Sequence, residues 1–309
     1  CFRASVDISP RSDPARMGAP MKEEVGPVRV GGVAAQAPGA IFVERRGAVG
    51  TIRLDRPDRF NALDVRTAQD LRSAALALAR DQRVRCVVLR GRPEVFCSGV
   101  DLKYVREGGS STDLAYLIPS THGTRGAIFK QILEYVNSTL SEIRRAPKLF
   151  IAGVEGVAAA GGLGLALCCD LVVASERASF EWAYGKTGLS GAESATFLLP
   201  RLIGLRSALD LAFLSPRLDA YSAERRGLVS RVTLADEFDR ELTTLSDRLA
   251  AAPIAALARQ KRLLNRSVAM EGLDEQLDAE VDALIECADS GEFDMSLDRF
   301  FAARETTRR

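Results

Sequence analysis

Apolar residues first gather into two short runs, Ile41-Phe42-Val43 and Val49-Gly50-Thr51-Ile52-Arg53-Leu54, on either side of Arg45-Arg46-Gly47-Ala48. This reads as two strands joined by a turn. Over residues 62–79 the period changes, with Leu63, Leu71, Ala74, Ala75 and Leu78 recurring at helical spacing. Residues 84–90 form a strongly apolar strand that ends at Gly91. The same reading predicts a helix over residues 123–145, a buried strand over 149–154, a helix over 163–169 and a strand over 171–174. Beyond Glu193 the pattern is helical nearly throughout, over residues 205–214, 220–226, 234–251, 253–270, 274–290 and 293–304. Alternating strands and helices followed by helices alone predict an α/β fold with a helical C-terminal extension.

Residues 1–40 lack this periodicity and are rich in Pro, Gly, Ala, Arg and Ser. They have no apolar stretch of the kind a secretory signal needs. Arg3, Arg11 and Arg16 lean towards a transit peptide, but Asp7, Asp13, Glu23 and Glu24 weigh against it. We read the segment as an extended tail, or as sequence upstream of a start at Met17 or Met21.

Composition narrows the chemistry. The 309 residues suit one or two domains, and 42 Lys+Arg against 41 Asp+Glu give a net charge of +1. That balance predicts neither a nucleic-acid partner nor an anionic membrane surface. His122 is the single histidine, so multi-histidine metal sites are excluded and no metal is expected. The six cysteines, Cys1, Cys86, Cys97, Cys168, Cys169 and Cys287, form no CxxC pair and read as buried thiols in a reducing compartment. The apolar runs are broken by glycines, Glu155 and Asp170 short of the roughly 18–20 residues of a membrane span. A cytoplasmic location is expected.

Two segments of small residues follow predicted strands. Phe96-Cys97-Ser98-Gly99-Val100-Asp101-Leu102-Lys103 follows the strand at 84–90, and Gly156 through Gly161-Gly162-Leu163-Gly164 follows the strand at 149–154 and opens a helix. Backbone N–H groups there can approach a ligand closely, and at a helix N-terminus they favour negative charge. Two converging donors would suit an oxyanion such as a thioester enolate. By spacing alone, Gly161-Gly162-x-Gly164 is equally a close helix–strand contact, and it does not make a dinucleotide fingerprint.

Over about residues 41–304 the chain resembles the enoyl-CoA hydratase/isomerase (crotonase) superfamily. The resemblance is carried by Arg56-Pro57-Asp58-Arg59-Phe60-Asn61-Ala62-Leu63, by the 96–103 segment, and by Ala152-Gly153-Val154-Glu155-Gly156 through Gly161-Gly162 to Cys169-Asp170. Phe180, Gly188-Leu189 and Leu199-Pro200-Arg201-Leu202-Ile203-Gly204 continue it. It implies a crotonase-like spiral of ββα units over residues 41–235 and a helical C-terminal region at 236–309. That region would serve a homotrimer or dimer of trimers. It further implies an acyl-CoA thioester substrate, with coenzyme A entering as part of that substrate and no separate cofactor. The two oxyanion donors would be the N–H groups of Val100 and Gly161. The coenzyme would run along Arg59, Ala62, Leu63, Ser98, Asp101 and Leu102, with Lys103 or Arg59 meeting its phosphates. Phe300 matches loosely an aromatic that covers the coenzyme pocket.

The chain departs from this family at the two hydratase glutamates, whose positions fall at Gly164 and Tyr184. Glycine has no proton to exchange, and a tyrosine with the ordinary pKa of about 10 is a poor base near neutrality. Some members carry a later carboxylate at a position matching Ala192, one residue before Glu193. Two readings of Glu193 stay open: a proton shuttle or nucleophile in the pocket, or a carboxylate at a helix N-terminus. Tyr184 could hydrogen-bond an acyl or leaving group, or fill space. Trp182 could wall the acyl pocket or be a structural indole. His122, in a variable loop after Tyr116 and Leu117, reads as a lid or surface residue, Glu155 as structural, and Cys97 as a small buried residue. The leading expectation is an isomerase or a related lyase or hydrolase, with Glu193 as acid/base and Tyr184 second. The alternatives are a hydratase using Glu193 or Glu181, and a non-catalytic acyl-CoA-binding protein.

Overall fold

The computed structural model describes residues 39–110, 124–268 and 273–288, together with residues 292, 293 and 295. Residues 1–38 of the N-terminal segment, Tyr116, Leu117, His122 and Phe300 lie outside the described residues.

The expected opening hairpin is present, β1 (Ile41–Arg46) antiparallel to β2 (Val49–Leu54). A 16-residue helix α1 (Val65–Arg80) follows, its N-terminus capped by Asp64 accepting from the Thr67 N–H. Its buried positions, among them Leu71, Ala74, Ala75 and Leu78, are the helical-period residues. Three ββα passes then repeat the same arrangement. The first is β3 (Cys86–Arg90), β4 (Val95–Cys97), α2 (Leu102–Arg106) and α3 (Arg125–Arg145); the second is β5 (Leu149–Val154), β6 (Val157–Ala159) and α4 (Gly161–Cys168). The third is β7 (Leu171–Ser175), β8 (Ser179–Glu181), α5 (Ala195–Ile203) and α6 (Leu205–Phe213). After it come β9 (Arg217–Asp219), α7 (Ala220–Arg225), β10 (Arg231–Thr233), and the helices α8 (Phe238–Ala251), α9 (Ile254–Ser267) and α10 (Leu273–Ala288).

Each pass gives one strand to each of two sheets. The six-stranded sheet has the order β1-β2-β3-β5-β7-β10 and the four-stranded sheet the order β4-β6-β8-β9. This is a spiral: β3, β5 and β7 pair parallel in one layer while β4, β6 and β8 pair parallel in the other. The large sheet is covered on both faces. Val87, Leu89, Phe150 and Ala152 face the helices of the spiral, and Val88, Ile151 and Val173 face Phe238, Leu242 and Leu245 of α8. Burial on both faces explains why residues 84–90 read as an unbroken apolar run.

The expectation of near-continuous helix beyond Glu193 is corrected by β9 and β10. Strands of three residues such as these, and β4, β6 and β8 before them, are too short to display a period of two, so the second sheet left almost no trace in the pattern.

Candidate active site

The first donor loop leaves β4 at Cys97 and is held from both sides. Asn61, 1% exposed, donates its amide to the carbonyls of Val95 (2.9 Å) and Phe96 (3.1 Å). Its own carbonyl oxygen accepts from the Arg56 N–H at 2.7 Å. Asn61 and Phe60 both adopt left-handed backbone, φ 53° and 51°, a conformation asparagine tolerates better than most residues. Leu63 N–H donates to the Gly99 carbonyl at 2.8 Å, and Asp101 N–H donates to the Leu63 carbonyl at 2.9 Å. The buried Asp101 carboxylate accepts from Arg56 and from the Tyr104 N–H, each at 2.9 Å. Between these anchors the Val100 N–H has no acceptor among the described residues.

The second loop turns at Ala160, φ 47° and ψ −117°, where a non-glycine residue is strained by about 1–3 kcal/mol. Gly161 is the first residue of α4, which has no side-chain cap, and its N–H also finds no acceptor among the described residues. The two loops touch through glycines. A Cβ on Gly162 would lie 1.9 Å from the Cys97 carbonyl oxygen, and one on Gly99 would lie 2.8 Å from the Gly161 nitrogen. Any side chain at 99 would therefore cover the second donor.

Both donors open into a cavity of about 420 Å³. Phe129 and Leu133 of α3, Leu102 and Leu189 make it largely apolar, and Tyr184 and Glu193 are among the polar residues that line it. Glu193 is 3% exposed and stands with Ser194 in two consecutive left-handed conformations, φ 50° and 63°. The turn before it is shaped by Gly191, on which Trp182 packs so closely that a Cβ would meet the indole at 2.8 Å. The Tyr184 hydroxyl lies 2.6 Å from Glu193 Oε2 and 3.1 Å from the Ala192 carbonyl oxygen. The other carboxylate oxygen, Oε1, is 2.7 Å from where a Cβ on Gly161 would stand. The carboxylate thus lies against the residue that carries the second donor.

Burial raises the Glu193 pKa above the ordinary carboxylate range, and the Tyr184 hydrogen bond partly opposes that rise. Tyr184 is pushed upward by burial first and then by the Glu193 charge, so its phenol stays protonated. Burial lifts Cys97 to about 12, leaving it a neutral thiol beside the first loop.

The structure separates the sequence candidates. Val100, Gly161, Tyr184, Glu193, Ser98 and Leu102 all line the one cavity. Asp101, Ala62 and Leu63 are buried, and Asp101 and Leu63 spend their polar groups on holding the donor loop. Arg59 is part-exposed 3.9 Å from Asp101, and Lys103 is exposed and faces Glu107. Trp182 is a buried indole in edge contact with Tyr184 at 5.0 Å and lies outside the cavity lining. Glu155 pairs with Arg90 at 2.7 Å, and Glu181, itself outside the lining, pairs with Lys186 at the cavity edge. Helix α5 begins at Ala195, so Glu193 precedes it and sends its side chain into the cavity, not along a helix end.

Three features of the site carry little mark in the sequence pattern. Arg56 and Asn61 stand in the sequence only as motif residues, although an Asn, which tolerates left-handed backbone, just before an apolar run is a usable turn signal. Gly164 leaves room for the Glu193 backbone: a Cβ there would lie 2.1 Å from the Glu193 carbonyl oxygen. Phe129 and Leu133 wall the cavity, but helical periodicity marks them only as apolar.

A two-layered α/β spiral with two unpaired backbone donors beside a buried carboxylate is the frame on which the comparisons fall. Residues 44–307 match the enoyl-CoA hydratase/isomerase family, and the chain belongs to that enzyme family. It is 32% identical over 262 residues to the 1,2-epoxyphenylacetyl-CoA isomerase of Escherichia coli strain K12, covering 83% of this chain and 93% of the relative. It is also 32% identical over 213 residues to 4-chlorobenzoyl coenzyme A dehalogenase-2 of Arthrobacter sp., covering 69% and 73%. Among solved structures, an enoyl-CoA hydratase from Polaromonas sp. JS666 superposes with a TM-score of 0.76 at 28% identity, over 86% of this chain and 98% of that one.

Proposed function

We propose that the protein is an acyl-CoA isomerase in which Glu193 moves a proton on a thioester enolate held by the Val100 and Gly161 N–H groups. The observation that carries this reading is the placement of Glu193 Oε1 against Gly161, beside an unpaired donor. A thioester carbonyl seated on the two donors would present its neighbouring carbon to that oxygen. Glu193 takes the proton from this carbon and the C–H electron pair flows into the enolate. The negative oxygen is stabilised by both N–H groups, each such donor being worth about 10²–10³ in rate. Returning the proton at a different carbon of the acyl chain moves the double bond and restores the carboxylate. A carboxylate whose pKa is raised by burial is closer to the working pH and therefore a better shuttle.

Hydration is less well supported, because Gly164 has no room for a side chain and Glu181 is engaged by Lys186. In this reading no separate cofactor takes part. The coenzyme A portion leaves the cavity past Ser98 and Leu102 towards Arg59 and Lys103, whose cations suit its phosphates. A homotrimer or dimer of trimers belongs to the same proposal, supported by the exposed apolar residues Phe197, Leu205, Leu209 and Phe213 on α5 and α6.

The test uses vinylacetyl-CoA, whose conversion to crotonyl-CoA creates a conjugated thioester seen in the ultraviolet. The wild-type protein should convert it and Glu193→Gln should lose at least about 10³ of the rate. Full activity in Glu193→Gln would remove Glu193 from the mechanism. Tight binding of acyl-CoAs with no turnover by the wild type would favour the binding-protein reading. The similarity to the Arthrobacter dehalogenase supports a second reading, in which Glu193 Oε1 bonds to the chlorinated ring carbon, chloride leaves with the C–Cl electron pair, and water cleaves the resulting aryl ester to restore the carboxylate. Chloride release from 4-chlorobenzoyl-CoA, lost in Glu193→Gln, is its signature.

A further inference from the structure

The Tyr184 hydroxyl stands between two acceptors, Glu193 Oε2 at 2.6 Å and the Ala192 carbonyl oxygen at 3.1 Å. A hydroxyl has one proton and gives it to one acceptor at a time. The shorter contact is to the carboxylate, and it is the stronger one while Glu193 is ionised. Oε2 is then occupied, whereas Oε1 lies against Gly161, which lines the cavity together with Glu193.

We infer that Tyr184 is a positioning residue that keeps Glu193 Oε2 an acceptor, so that the proton Glu193 carries always resides on Oε1, on the substrate side. This rests on the reading of Glu193 as the base. The steps balance without any further reactant. As the substrate C–H bond breaks, its electron pair enters the enolate and an O–H bond forms at Oε1, while Tyr184 continues to donate to Oε2. On return, the O–H bond at Oε1 breaks, a C–H bond forms at another carbon, and the carboxylate regains its charge. If the tyrosine turned instead to the Ala192 carbonyl, Oε2 could take the proton and hold it pointing away from the cavity.

The surroundings leave this role to Tyr184. Cys97 reaches Glu193 from the first donor loop but is a neutral thiol, held up to about 12 by burial. Lys186 lines the cavity and is paired with Glu181. Helix α4 faces the carboxylate with Gly161 and the Glu193 backbone with Gly164, and α3 lines the cavity with Phe129 and Leu133. The tyrosine ring is fixed by burial and by the edge of Trp182 at 5.0 Å.

Tyr184→Phe keeps the ring and removes the hydroxyl. With vinylacetyl-CoA as probe, kcat should fall about 10–100-fold, the loss fitting one hydrogen bond to a charged group, while KM stays nearly constant. The acid limb of the kcat/KM profile should move to higher pH, because a donor that favours the carboxylate is gone. Fluorotyrosine in place of Tyr184, a stronger donor on the same ring, should move that limb to lower pH. An unchanged kcat and pH profile in Tyr184→Phe, or an acid limb that fluorotyrosine leaves in place, would overturn the inference. An active Glu193→Gln would instead overturn the reading beneath it, so the two failures are distinct.

Discussion

Glu193 is placed at the cavity against local preference. It adopts a left-handed backbone, is nearly sealed from solvent, and has one side-chain hydrogen-bond donor among the described residues, Tyr184, for a charge that burial disfavours. The raised pKa couples folding stability to pH. The folded state binds the Glu193 proton more tightly than the unfolded chain does. The resulting stabilisation is fully present below the ordinary carboxylate pKa and is lost as pH rises through the higher folded value. Glu193→Gln removes that loss. Its melting temperature should therefore match the wild type in acid and exceed it increasingly towards neutral pH. A difference that is constant with pH would show that the carboxylate is not strained by burial. The Tyr184–Glu193 contact could not be read from the sequence for a related reason. Gly191-Ala192-Glu193-Ser194-Ala195 looks like the start of a helix, and only the left-handed pair at 193 and 194 turns the carboxylate inward.

At the scale of elements, the site is two strand-to-helix turns pressed together, and the fit depends on glycines. Gly99, at φ +90°, matters most, since a methyl group there would stand over the Gly161 N–H. Gly99→Ala should lower kcat by about 10²–10³, the worth of one oxyanion donor, measured on protein that is still folded by circular dichroism. Unaltered turnover in that variant would mean that the Gly161 N–H is not a donor to the transition state. These turns were legible because they are dense in small residues after long apolar strands. The strands that hold them in register, β4, β6 and β8, were not, since three residues carry no period and their pairing is set by the spiral around them. The outer helices were legible to within a few residues because their buried faces repeat every three or four positions.

The whole molecule presents an apolar strip to solvent, with Leu205, Leu209, Phe213 and Leu214 exposed along α6 and beyond it. Strips of this kind mark surfaces that another molecule covers. Under the assembly proposed above, light scattering should give a trimer or hexamer mass, and Leu209→Asp with Phe213→Asp should lower it; a monomeric wild type would contradict that assembly. No helix among the described residues is long and apolar enough to cross a membrane. Family membership, carried along residues 44–307, places the chain among acyl-CoA-processing enzymes, and within that frame Glu193 lies against Gly161 and Gly164 and meets the Tyr184 hydroxyl.

The central claim is that Glu193 removes a proton from the carbon beside a thioester held by Val100 and Gly161. It is tested most directly by incubating butyryl-CoA with the protein in deuterated water and following loss of the α-proton signal by nuclear magnetic resonance. This needs no knowledge of the natural acyl chain or of the later steps. The account predicts exchange with the wild-type protein and none above background with Glu193→Gln. Equal exchange in both proteins would contradict it.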